Sequence, residues 1–318
     1  MLKLPFFSEI EQSQHILIAG AGGGFDIFSG LPLYFGLMSQ GKTVHLANFS
    51  FTNLPVAKGN GDEQLTPTLW KVNAESESQA EYFPEKYLAQ WFQQKGWTVP
   101  IYCFQRSGLK PLQANYQMLV DSLKIDTIIL VDGGTDSLMR GDESSLGTPE
   151  EDVLSILAAN QMDVPRKLLV CLGFGVDHYH GVNHEYFLEA VAELTRANAY
   201  MGMFSLTPDM PEVQQYREAT EIVFERMPSR TSIVSSSILM ALKGTYGDTP
   251  ITTKRRQGTV WINPLMPVYW CFSLLPVAQR ILYANFIQET TEFLDVVMIV
   301  ESWRKTLKNF RPKKNIPV

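Results

Sequence analysis

Cysteine is scarce in this chain of 318 residues. Cys103, Cys171 and Cys271 are an odd number, widely spaced and without a C-x-x-C pair, so they build neither a disulfide framework nor a zinc knuckle. Each sits in an apolar run such as "IYCF" or "LLVCLGF" and reads as a small buried hydrophobe in a reducing compartment. A basic excess is also lacking. Lys and Arg total 27 against 33 Asp and Glu, a formal net charge of −6, which gives no electrostatic reason to expect a nucleic-acid partner. The cations that do gather, at "KRR" (254–256) and in the tail "RKTLKNFRPKKNIPV" (304–318), include an end that reads as solvated and partly mobile. No apolar run is long enough for a membrane span. The uncharged stretch 257–279 is interrupted by Asn263, Pro264, Pro267 and Pro276, which suits a buried strand with flanking turns. The N-terminus "MLKLPFFSEIEQSQ" carries acids and proline where a secretion signal needs unbroken apolar residues. A soluble cytoplasmic protein is expected, with no membrane partner and with a homo-oligomer left open.

Several chemical motifs are missing as well. There is no G-x-S-x-G elbow and no H-E-x-x-H pair. "HILIAGAGGGFD" places glycines directly after a strand, but a dinucleotide fingerprint needs a third glycine where Phe25 stands, and the second strand ends "ANFS" without an acid for a ribose. "GLMSQGKT" (36–43) spells a Walker loop in reversed context, helix before and strand after. Gly41 is better explained as the left-handed residue that closes a helix.

What is present is a regular alternation. "HILIAG" (15–20), "TVHLANF" (43–49), "VPIYCF" (99–104), "DTIILVDGG" (126–134), "KLLVCLGFG" (167–175), "AYMGMFSL" (199–206) and "PVYWCFSL" (267–274) read as strands apolar on both faces, as in a covered parallel sheet. Helical spacing runs through 85–96, 112–123, 149–161, 183–198 and 211–227. Thr148 before Pro149, with Glu151 three residues on, predicts a capped helix start. Glu150, Glu151 and Asp152 would then sit in its first turn, where the helix dipole stabilises them by roughly 0.3–1 kcal/mol each; they read as structural. The alternation predicts a single α/β domain over 1–318, a doubly wound, mainly parallel three-layer sandwich. A polar insertion at about 50–80 reads as a lid or a disordered loop. The part from about 229 to 318 reads as helical, with one further strand.

Seven carboxylates and one arginine crowd into "LVDGGTDSLMRGDESSLGTPEED" (130–152). The loops after parallel strands share one edge, where ligands bind. On that edge Asp26, Asp132, Asp136, Arg140, Asp142, Glu143, Asp177, His178, His180 and His184 can converge. Three of the five histidines lie within seven residues, beside Asp177. Asp and His in such loops ligate divalent metals or act as acid and base. Asp132 also fits a plain turn cap, His178 a solvated ring, and His184 an incidental place behind the N-cap Asn183. Converging acids favour a bound cation, since without one they raise each other's pKa and cost stability.

The blocks "GGGFDIFSGLPL", "VDGGTDSLMRGDE" with "GTPEED", and "CLGFGVDHYHGV" resemble the signature of the domain of unknown function 1152 family of archaea and bacteria. The resemblance implies a Rossmann-like α/β protein and supplies no substrate or cofactor. It implies that Gly22, Gly23, Asp26, Asp132, Gly133, Asp136, Arg140, Asp142 and Asp177 are family features.

The resulting expectation is a small-molecule enzyme, a hydrolase or transferase acting with metal assistance on a phosphate- or nucleotide-like substrate. Asp132, Asp136, Asp177 and His180 are the expected catalytic groups. The expected ligands of a divalent magnesium, manganese or zinc ion are Asp132, Asp136, Asp142, Asp177 and His180. Gly20, Gly22, Gly23, Gly24, Asp26, Gly133, Gly134, Thr135 and Arg140 would hold the substrate. The alternative is a protein that binds or senses a nucleotide or sugar phosphate without chemistry.

Overall fold

The computed structural model describes residues 2–57, 59–253 and 256–314. Its strands are β1 His15–Gly20, β2 Thr43–Ser50, β3 Glu63–Thr66, β4 Leu69–Val72, β5 Ile101–Gln105, β6 Thr127–Asp132, β7 Arg166–Cys171, β8 Tyr200–Ser205, β9 Gly247–Thr253, β10 Arg256–Ile262 and β11 Val268–Ser273. Nine of them form one sheet in the order β3-β4-β5-β2-β1-β6-β7-β11-β8, and β9 pairs with β10 apart from it. The core β5-β2-β1-β6-β7 is parallel throughout.

Why these segments are strands is visible in how they divide their side chains. Along β1, Ile16 and Ile18 enter one apolar layer while Leu17 and Ala19 enter the other, the period of two that a sheet covered on both faces requires. The helices Leu109–Leu123, Pro149–Asn160, His184–Arg196 and Phe293–Lys305 cover one face through Tyr116, Leu154, Phe187 and Val296. Leu31–Ser39, Pro84–Gln94 and Pro211–Arg226 cover the other through Phe35, Phe92 and Tyr216. This is the expected doubly wound, Rossmann-like three-layer sandwich.

Several sequence expectations are corrected. The polar stretch at 50–80 holds an ordered hairpin, in which β4 pairs antiparallel with β5 and β3 with β4, widening the sheet by two strands. The segment 199–206 is not covered on both faces: β8 is an edge strand whose residues alternate between buried and open. The C-terminal part, expected to hold one strand among helices, also holds β9 and β10. Its β11 inserts between β7 and β8, antiparallel to both, so the uncharged run passes through the sheet before it ends in the helix Leu274–Arg280. The basic tail is no loose end as far as Lys314. Arg304 donates to the carbonyls of Gly141 and Glu143, and Arg311 pairs with Asp142, Glu143 and Glu189. Of the cluster 254–256, Lys254 and Arg255 lie outside the described residues.

Gly41 does close the helix Leu31–Ser39 with φ +78°, and Lys42 is spent on the carbonyls of Glu11 and Ser13, which leaves no Walker loop. All three cysteines are buried thiols. Among the described residues no helix is long and apolar enough to cross a membrane.

Candidate functional site

The strand order reverses between β1 and β6, the crevice where doubly wound sheets place ligands. The amide of Ala21 continues the pairing onto Val131, so the turn after β1 and the turn after β6 leave the sheet side by side. A cleft of about 270 Å³ opens above them, lined on one side by Gly22, Asp26, Asp132, Asp136, Asp177 and His180. Asp152 joins them from the first turn of Pro149–Asn160. A larger cleft of about 920 Å³ lies at the opposite edge, where β2 and β5 begin, among Tyr34, His45 and Trp97. Its lining is mainly apolar and includes a single acid, Glu212.

Three of the carboxylates are held by their own loops, and Asp177 by the neighbouring loop after β6. Asp26 Oδ2 accepts the Gly22 amide at 2.6 Å. Asp132, the last residue of β6, accepts the amide and hydroxyl of Ser137. Asp136 Oδ2 accepts the Thr148 amide at 2.9 Å, and Asp177 Oδ2 accepts the Thr135 amide at 2.6 Å. Asp152 differs, because its Oδ1 is buried and has no hydrogen-bond partner.

Glycine is what lets these acids crowd. A Cβ on Gly134 would stand 2.8 Å from an Asp177 oxygen and 3.0 Å from Asp132 Oδ1, and one on Gly22 would stand 2.9 Å from both Asp152 Oδ1 and Asp26 Oδ2. The carboxylates close in because no side chain is there to keep them apart. Burial pushes all five carboxyls up, Asp26, Asp132, Asp152 and Asp177 well above the usual range, and the neighbouring Asp136 charge adds to each of these four. For Asp136 itself, the Thr148 amide and then the His180 charge partly oppose the effect of burial.

Not every expected residue is in the cleft. Arg140 and Asp142 are paired with one another at 2.9 Å, and Glu193 and Arg311 complete that network. Burial raises the Asp142 carboxyl, but the Arg140 and Arg311 guanidiniums outweigh it and hold the group below its ordinary value. Neither residue lines the cleft, since both serve the network that fastens the tail. His178 is exposed and its ring packs at 5.2 Å from His184, while Asn183 caps the helix that follows, as expected. Of the amides expected to receive a substrate anion, those of Gly22, Gly24 and Thr135 are already donated within the protein. Gly23 and Gly133 line the cleft, whereas Gly20 ends β1 against Asn48.

Three contributions escaped the sequence. The first is Asp152, read as a dipole-stabilised helix acid. Thr148 makes no side-chain cap there; its amide and hydroxyl go to Asp136, and Glu151 pairs with Arg106 instead of closing a capping box. The second is Arg230, which lines the same cleft with its guanidinium 3.9 Å from Glu81. The third is the start of the helix Ile233–Leu242, capped by Ser232, whose first residues also line the cleft. The string "SRTS" (229–232) ahead of an apolar helix carried that cap signal, but nothing local ties it to loops some hundred residues earlier.

No curated protein and no solved structure matches the chain. A family model does: the one described as Protein of unknown function (DUF1152) matches residues 17–303, a span that takes in both sheet-edge turns and every carboxylate of the cleft. The chain therefore belongs to the DUF1152 family.

Proposed function

We propose that the cleft carries out metal-assisted hydrolysis or group transfer on a phosphate- or nucleotide-like small molecule. The observation behind this reading is the convergence of Asp26, Asp132, Asp136, Asp152 and Asp177 on one cleft that Arg230 and the start of a helix also line. Uncompensated buried acids destabilise a fold, so a set held this close is best explained by a cation that neutralises it. The donors are nearly all carboxylate oxygens, which suits magnesium or manganese, and His180 on the same wall leaves zinc open.

The donor set fits such an ion, because one buried acceptor, Asp152 Oδ1, has no donor within the protein. When bound, a divalent ion would polarise the substrate oxygen and make a water more acidic. The chain's own groups do the rest. Arg230 and the positive end of the helix dipole at Ile233 receive an anionic substrate on the rim. Asp136 and Asp177, each anchored through Oδ2 to a loop amide, are fixed acceptors for a proton from the attacking water or hydroxyl. His180 is placed to carry that proton onward.

The test is turnover on a panel of phosphate esters and nucleotides with magnesium, manganese or zinc. Asp132→Asn and Asp177→Asn should lower kcat/KM by roughly 10²–10⁴-fold with melting temperature kept. Full activity of both variants on an identified substrate would overturn the assignment of roles. Saturable ligand binding with no product after long incubation would favour the binding-only alternative.

A further inference from the structure

We infer that a single divalent cation is held by Asp26, Asp132 and Asp152, and not by the set Asp132, Asp136, Asp142, Asp177 and His180 that the sequence suggests. The inference rests on the reading above for the presence of a cation in this cleft, and it needs no substrate to be tested.

One carboxylate oxygen from each of the three residues lies within 4.8 Å of the other two. Oxygens on opposite sides of one magnesium or manganese ion stand about 4 Å apart, so a slight inward movement of the side chains closes the shell. Asp152 supplies an independent sign. Its side chain is 2% exposed, and its Oδ1 is an acceptor with no donor, aimed into the cleft. In a folded interior such an atom is normally satisfied, and a cation satisfies it. The space beside it is kept open by Gly22, whose absent Cβ would lie 2.9 Å from Asp152 Oδ1 and 2.9 Å from Asp26 Oδ2.

The ligands also come from three separate places: the turn after β1, the end of β6, and the first turn of Pro149–Asn160. Three rigid elements meeting at one point pre-organise a shell better than a single loop does. Among the described residues Asp136 and Asp177 join no group of three whose ligand atoms lie this close together, which leaves them to the substrate. The all-oxygen shell selects a small hard ion, magnesium or manganese, over zinc.

The experiment is titration of the chelator-treated full chain with Mn²⁺ alone, followed by the electron paramagnetic resonance of free Mn²⁺, with thermal melting of each variant in parallel. Wild type should bind one Mn²⁺ per chain. Asp152→Asn should weaken binding by more than about tenfold, while Asp177→Asn stays close to wild type. Asp152→Asn should melt no lower than wild type without the ion, because it puts a neutral amide of the same shape in place of one of the crowded carboxyls. Gly22→Ala should cause the same loss by filling the space between the two oxygens, and it serves if Asp152→Asn does not fold.

No saturable binding by wild type at millimolar Mn²⁺, unchanged binding by Asp152→Asn, or equal loss in Asp177→Asn would each overturn the assignment. The two readings fail separately. Mn²⁺ bound by this trio without turnover of any substrate sinks the reaction and keeps the site, whereas turnover persisting in chelator sinks the site and keeps the acid–base roles.

Discussion

Glu85 shows how far the consequences of burial reach beyond the cleft. It is fully buried beneath the glycine turn; its Oε1 accepts from Asn48 Nδ2 at 2.8 Å, and the same amide donates to the Gly24 carbonyl at 2.8 Å. Its Oε2 has no partner, and burial raises the carboxyl to about 7. An unfolded glutamate ionises near 4.5, so between about pH 4.5 and 7 the folded chain holds a proton that the unfolded chain has released. Stability from this group is therefore present at low pH and lost as pH rises toward 7, a penalty on the order of 3 kcal/mol at pH 8. Glu85→Gln keeps the acceptor for Asn48 and removes the titration. Urea unfolding at pH 5 and pH 8 should find the variant gaining on wild type at the higher pH. Parallel stability profiles for the two proteins over that range would show that Glu85 does not titrate there.

At the scale of elements, most strands and helices with internal periodicity were legible within a residue or two, because their burial pattern is written in their own side chains; the helix predicted at 112–123 begins at Leu109, and the strand predicted at 167–175 ends at Cys171. The predicted helix at 149–161 is the helix Pro149–Asn160, and the predicted strand at 15–20 is β1. What escaped was decided by partners far away in the chain. The tail reads as a solvated cationic end, yet Arg311 finds Asp142 at 2.8 Å and the buried Glu143, and Arg304 holds the carbonyls of Gly141 and Glu143. Those acids lie just beyond the turn that carries Asp136, so the last helix and tail brace one wall of the cleft. Glu143 is 1% exposed, and it would be left with a buried charge and fewer donors if Arg311 were lost. Arg311→Ala should cost about 3 kcal/mol in urea unfolding, and adding Glu143→Gln should recover part of it. No change in stability would mean that the tail contributes nothing to the loop.

On the scale of the whole molecule, the site exists because the parallel order β2-β1-β6-β7 brings turns from distant parts of the chain to one edge. A parallel, doubly wound sheet followed from strand–helix alternation alone, and with it the meeting of Asp26, Asp132, Asp136 and Asp177 at one edge, but the order of its strands did not. The direction of β11 did not follow, because an antiparallel strand inside a covered sheet carries the same apolar pattern as a parallel one, and the hairpin β3–β4 did not because β3 is a short polar edge strand without an apolar run. Nor did Asp152, since acids in a first helical turn are ordinary, and only the packing of that helix across β1 and β6 turns one of them into the cleft. If the three turns act as one site, a ligand should tie them together. Amide hydrogen exchange with and without Mn²⁺ should show protection rising at 21–26, 132–137 and 149–153 together, with 140–143 unchanged, because Arg140 and Asp142 belong to the tail network. Without the ion, the central β1, β6 and β7, fully paired on both sides, should exchange slowest and the hairpin β9–β10, outside the main sheet, much faster. Protection confined to 178–184, or spread evenly over the chain, would mean that the ion binds elsewhere and that the sheet edge is not one functional unit.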